Sequence, residues 1–106
     1  MNRSKAKGTA WETALVEYLK VSGFPYAERR ALCGTSDRGD VAGIPGVVLE
    51  AKAEKVIDLA GYMNEVAAEK RNAGAQVGAA VIKRRSHGTD RAYVVMELCD
   101  FVELIR

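Results

Sequence analysis

Asp40 and, ten residues further on, Glu50-Ala51-Lys52 carry the residue types that phosphodiester chemistry uses. Side chains alternate along a strand, so Glu50 and Lys52 share one face while Val47, Leu49 and Ala51 share the other and can enter a core. A charged pair on one face of an otherwise apolar strand is costly to bury unless a task holds it there. Two acids and a lysine converging at one sheet edge can hold a divalent metal beside a phosphate. That combination points to metal-dependent nuclease chemistry.

These groups need elements to bring them together. Residues 1–8 read as a flexible basic arm ending at Gly8. Thr9 is placed to cap a helix running to about Val21, with Glu12 as its capping-box partner. Trp11, Leu15, Tyr18 and Leu19 form the apolar stripe of that helix, with Ala14 beside them and Glu12 at its edge. Ser22-Gly23 stops it. A first strand is expected from Phe24 to about Leu32, a turn-rich loop from Gly34 to Gly39, and a second strand from Asp40 to Gly43. Ile44-Pro45-Gly46 turns into a third strand, Val47 to Lys52 or Ala53, so the second and third strands read as a hairpin. Asp58 can cap a second long helix, striped by Leu59, Tyr62, Met63, Val66 and Ala67 and closed by Gly74. Val77 to Lys83 is a fourth strand, expected parallel to the third through a right-handed crossover. A turn over residues 86–90, a fifth strand from Arg91 to Met96 and a short helix from Asp100 to Arg106 complete the chain. The order is α-β-β-β-α-β-β-α, a mixed sheet flanked by helices, in the α/β or α+β class.

With 106 residues, 48% of them apolar, the chain is expected to form a single domain around one compact core. So short a chain buries only about two-thirds of its unfolded surface, so a partner copy would help it. A net charge of +2 says little, but the basic residues are clustered. Arg3, Lys5 and Lys7 precede any acid, and Lys83, Arg84 and Arg85 are consecutive. Clusters of this kind suit phosphate contacts. Cys33, Cys99 and the lone His87 have no zinc-site spacing, and the cysteines are expected to be free thiols in a reducing cytoplasm. No apolar run approaches a membrane span, and no apolar signal segment follows the basic N-terminus.

The residues and the element order together resemble the P-D…[DE]-x-K nuclease superfamily, the restriction-endonuclease-like fold. Within it, the N-terminal half is similar to the small archaeal-type Holliday junction resolvases. The matching residues are Lys7-Gly8-x-x-Trp11-Glu12, Leu15-Val16, Leu19, Gly23-Phe24, Arg30, Cys33-Gly34, Asp40-Val41-x-Gly43 and Leu49-Glu50-Ala51-Lys52. They lie within residues 5–52; beyond them only the order of elements agrees. Gly39 stands where the motif has proline, and Cys33 where such resolvases commonly carry serine.

The resemblance implies a metal-dependent, structure-selective DNA endonuclease in a prokaryotic or phage-infected cell, acting on four-way junctions as a homodimer. Asp40 and Glu50 would ligate Mg²⁺, the Ala51 carbonyl would add a third ligand, and Glu12 would join from the helix, directly or through water. Mn²⁺ should substitute, since it accepts the same ligands. Lys52 would orient or help deprotonate the attacking water and offset phosphate charge. Lys5, Lys7, Arg29, Arg30, Lys83, Arg84 and Arg85 are the expected DNA contacts. A C₂ dimer would present two equivalent sites to the two-fold junction, with Val94, Met96, Phe101, Leu104 and Ile105 as candidate interface. The rival readings are a nickase or DNA-degrading enzyme on the same fold, a non-catalytic DNA-binding subunit, and a protein-interaction module without metal affinity.

Overall fold

The structure, a computed structural model, describes residues 3–31 and 36–106, with side chains from Lys7 onward. Helix α1 (Arg3–Val21) is followed by three strands, β1 (Glu28–Arg29), β2 (Val41–Ala42) and β3 (Val47–Lys52). Helix α2 (Leu59–Ala73), strands β4 (Val77–Ile82) and β5 (Tyr93–Val95), and helix α3 (Leu98–Ile105) complete it. This is the expected order in the α+β class.

Strands β3, β4 and β5 form a mixed sheet in that spatial order. β3 and β4 run parallel in register from Val47 opposite Val77 to Lys52 opposite Ile82, and β5 is antiparallel to β4. All six residues of β4 are buried, as befits the middle strand with a helix on each face. On one face, Trp11, Leu15 and Val16 of α1 pack with Val81 and the half-buried Leu49 and Ala51. The Trp11 indole N–H donates to the Val81 carbonyl at 3.1 Å, which fixes how α1 is rotated over the sheet. On the other face, Tyr62 and Val66 of α2 pack with Ala80 and Ile82. Gly78 permits that approach, because a Cβ there would stand 2.6 Å from Val66 Cγ1.

The expected stop of α1 and both ends of α2 are present. Phe24 N–H donates back to the Leu19 carbonyl around Gly23 (φ 107°). Asp58 accepts the Gly61 N–H at 3.0 Å, and Gly74 closes α2 in the left-handed conformation.

Several expectations change. Thr89–Arg91 form a single 3₁₀ turn, so the fifth strand is only Tyr93–Val95, and the last helix begins at Leu98 rather than Asp100. The helix begins at Arg3, so residues 3–8 are helical rather than an arm, and Thr9 lies inside α1, where its carbonyl accepts the Thr13 hydroxyl. Tyr18, assigned to the apolar stripe, is 40% exposed; Val16 takes its place. The first strand is two residues long, because a turn closed by Ala27 N–H to Phe24 O occupies its expected start. β2 and β3 are not a ladder-bonded hairpin: β2 pairs with β1 in a separate two-stranded ribbon. Asp40 bridges ribbon and sheet. Its N–H donates to the Leu49 carbonyl, and its carboxylate, not a backbone carbonyl, accepts the Ala51 N–H at 2.7 Å. A side chain thus stands where the next ladder bond would have formed.

Candidate metal centre

The alternation of β3 turns Glu50 and Lys52 towards α2, away from α1. Helix α2 meets them with Glu65 and Glu69, one turn apart. Lys52 Nζ donates to Glu65 Oε2 at 2.7 Å and sits 5.1 Å from the Tyr62 ring centroid. Burial would lower the Lys52 pKa, but the hydrogen bond to Glu65 and the charges of Glu50, Glu65 and Glu54 raise it overall. The lysine is therefore a firm cation as it stands.

Glu50 is only 5% exposed and Glu69 2%. One carboxylate oxygen each from Asp37, Glu50 and Glu69 lie within 4.8 Å of one another. Asp37, on the loop before β2, is the exposed member and also accepts the Gly39 N–H at 2.9 Å. Burial, then hydrogen bonds to Asp40 and Glu69, then their charges push the Glu50 carboxyl up to about 12. Burial also pushes Glu69 up, to about 7, though its hydrogen bond with Glu50 works the other way. Without a cation, the Glu50–Glu69 pair holds a proton between its two carboxyls. Glu69 Oε1 is sealed from solvent and has no hydrogen-bond partner among the described residues.

A cluster of carboxylate oxygens, from two buried residues and one exposed, with one oxygen orphaned, suits a small, hard divalent cation, which binds oxygen ligands and suppresses their protonation. The donor set contains no nitrogen or sulfur, which disfavours zinc or copper.

Asp40 lies against Glu50, and Lys52 shares the Glu50 strand face with its ammonium turned to Glu65. Asp40 hydrogen-bonds Glu50 while holding the Ala51 N–H. Gly39, in place of the motif's proline, has φ 93°, which a proline ring cannot adopt. Glu12 does not join the cluster. It rides on α1, across the sheet from Glu50, and its Oε1 accepts Arg29 Nε at 3.2 Å. The seating of Trp11 under Val81 fixes this outcome, because it sets which way the flank of α1 points.

Arg29 is thereby occupied, whereas Arg30 lines a cavity of about 370 Å³ with Asp37, Arg38 and Asp40. Its buried Nε has no partner among the described residues. Lys7 lines a cleft of about 640 Å³ with Lys55, Lys83, Arg84 and Arg85, at the ends of β3 and β4. Arg84 lies 5.2 Å from the Tyr93 ring centroid in that cleft. The Lys5 side chain and Cys33 fall outside what the structure describes; Cys99 is a free, exposed thiol, and His87 is exposed in a turn.

Sequence reasoning missed Asp37, Glu65 and Glu69. The available signal was the Glu65-x-x-x-Glu69 spacing on a helix following E-x-K, since i and i+4 share a helix face. It also missed Asp100, which is buried and joins α3 to the core. Asp100 accepts Lys70 Nζ at 2.6 Å and the Gly78 N–H at 3.1 Å. Burial would raise its pKa, but these donors hold it below the usual carboxylate value.

No family model, curated protein or solved structure matches this chain. Among the described residues, no helix is long and apolar enough to cross a membrane.

Proposed function

We propose that this protein is a metal-dependent DNA endonuclease selective for branched DNA, with the four-way junction as its substrate, working as a homodimer. The observation that carries this reading is the meeting of Asp40 and Glu50 at the β2–β3 junction, with Lys52 on the same strand face as Glu50 and two further carboxylates within reach of Glu50.

Asp40 and Glu50 would hold Mg²⁺ or Mn²⁺. When bound, the cation supplies charge that offsets the build-up on a phosphate under attack. Asp40 ties its carboxylate to the Ala51 N–H and so fixes the spacing between ribbon and sheet. Lys52, kept protonated by Glu65, positions water by hydrogen bonding and offsets phosphate charge. Arg30, at the cavity beside Asp40, is placed to take a phosphate oxygen. The cleft of Lys7, Lys55, Lys83, Arg84 and Arg85 offers a path for the nucleic-acid backbone, giving position rather than sequence.

Support for the dimer comes from the C-terminal third. Val94, Phe101, Leu104 and Ile105 are all exposed, and Met96 half-buried, so the monomer core does not use them. With Val95 and Leu98, several of them line one shallow apolar depression.

The test is cleavage by purified protein of a mobile four-way junction, a linear duplex and a single strand, each with and without Mg²⁺. Metal-dependent paired nicks in the junction alone are expected. Cleavage of all three alike would favour a DNA-degrading enzyme. No cleavage of any under Mg²⁺ or Mn²⁺ would end the nuclease reading.

A further inference from the structure

A strand advances about 6.6 Å over two residues and a helix about 6 Å over four, so an E-x-K strand and an E-x-x-x-E helix packed face to face can meet pairwise. Here they do. Lys52 meets Glu65 at 2.7 Å, an attractive pair. Glu50 meets Glu69, acid upon acid, in the more buried position.

Among the described residues, neither neighbouring lysine is bonded to that second pair, although Lys52 feels the charge of Glu50. Lys52 is held by Glu65, and Lys70, next in sequence to Glu69, is held by Asp100 at 2.6 Å. Asp37 adds a third carboxylate within 4.8 Å rather than a counter-charge. Glu69 Oε1, buried with its residue at 2% exposure, finds no donor among the described residues. Packing alone does not account for a buried acid pair that has no bonded cation among the described residues and leaves an oxygen orphaned.

We infer that Asp37, Glu50 and Glu69 together form a divalent-cation site, in which helix α2 supplies, through Glu69, the ligand that the sequence pattern assigned to Glu12. The inference rests on the reading of Glu50 as a metal ligand in the proposed nuclease and adds Asp37 and Glu69 to the Asp40–Glu50 pair proposed there. Two ligands come from rigid elements, β3 and α2, and the third from an exposed loop. The site is thus held firmly on its buried side and open on the other, where water or a phosphate oxygen can enter. Asp40, tied to the Ala51 N–H, flanks this set and contacts Glu50.

The experiment is Mn²⁺ titration of the full chain without DNA, read by calorimetry and by loss of the free-ion paramagnetic resonance signal. Wild-type protein is expected to bind. Glu69→Gln should weaken binding at least about tenfold, since losing even an outer-shell partner of a ligand costs that much, with circular dichroism unchanged. Asp37→Asn, at an exposed position that does not threaten the fold, should weaken it as well. Glu103→Gln, remote on α3, should bind as wild type. Wild-type affinity in both Glu69→Gln and Asp37→Asn, no Mn²⁺ binding by wild type, or loss in Glu12→Gln with retention in Glu69→Gln would each overturn the site. Mn²⁺ binding that depends on Glu69 in a protein that cuts no DNA would keep the site and remove the nuclease reading, so the two fail separately.

Discussion

Glu50→Gln should make the metal-free protein more stable at neutral and alkaline pH. A carboxyl whose folded pKa lies above its unfolded value stabilises the fold fully only below the unfolded value. That contribution drains away as pH rises towards the folded one. For Glu69 the window runs from 4.5 up to about 7, and for Glu50 from 4.5 up to about 12. Metal-free wild type should therefore lose about 1.4 kcal/mol per pH unit for each retained proton. Glutamine keeps the size and much of the hydrogen bonding of a protonated glutamate and does not titrate. From about pH 6 to about pH 8 the variant should keep about 3 kcal/mol that wild type loses, a difference of roughly 10–20 °C in midpoint for a chain this size. Thermal unfolding in chelator across that range measures it. Mg²⁺ should flatten the wild-type profile, since a bound cation replaces the proton, and leave that of Glu50→Gln nearly unmoved. Parallel profiles for the two proteins in chelator would refute the reasoning, because Glu50 would then not be held protonated by its surroundings.

Asp100→Ala should cost about 3–5 kcal/mol, because it strands Lys70 and the buried Gly78 N–H; a loss below about 1 kcal/mol by equilibrium denaturation would mean that α3 is not anchored there. Neutralising Arg84 and Arg85 together should lower the slope of log affinity against log salt for junction DNA by about two, and an unchanged slope would move the DNA path off the cleft. Sedimentation at micromolar protein should show a dimer that Phe101→Asp or Ile105→Asp dissociates. A wild-type monomer still making paired nicks at low nanomolar protein would remove the dimer, and a dimer indifferent to both changes would move its interface.

Much of the fold was legible because its signals are local. Asp58, Gly74 and Ser22-Gly23 mark helix ends by chemistry that acts within a few residues. The apolar run of β4 and its position after a helix implied the parallel pairing with β3. That Glu50 and Lys52 share one face of β3 was legible for the same reason, since period-two alternation decides it. Glu12 was not, because the rotation of α1 depends on Trp11 reaching Val81, seventy residues away. Nor was the missing β2–β3 ladder. A side chain that substitutes for a backbone acceptor, as Asp40 does at Ala51, leaves no mark in periodicity.

The contrast between the two strand–helix pairs bears most directly on function. Lys52–Glu65 and Glu50–Glu69 occupy equivalent positions in one register, so packing geometry treats them alike. Selection for stability alone would put opposite charges, or apolar side chains, at both. It would do so most strongly at the inner pair, where Glu50 and Glu69 are the more buried and burial of charge costs most. The chain instead has its attractive pair at the outer position, where Glu65 is exposed, and inside it a pair of acids that repel unless they share a proton or a cation. Exchanging Glu69 for lysine or leucine would cancel the repulsion with a single substitution and should stabilise the metal-free fold. Two acids at the inner pair are what the proposed cation site would need. The outer Lys52–Glu65 pair then keeps a positive charge two residues further along the same strand face, where an approaching phosphate would meet it.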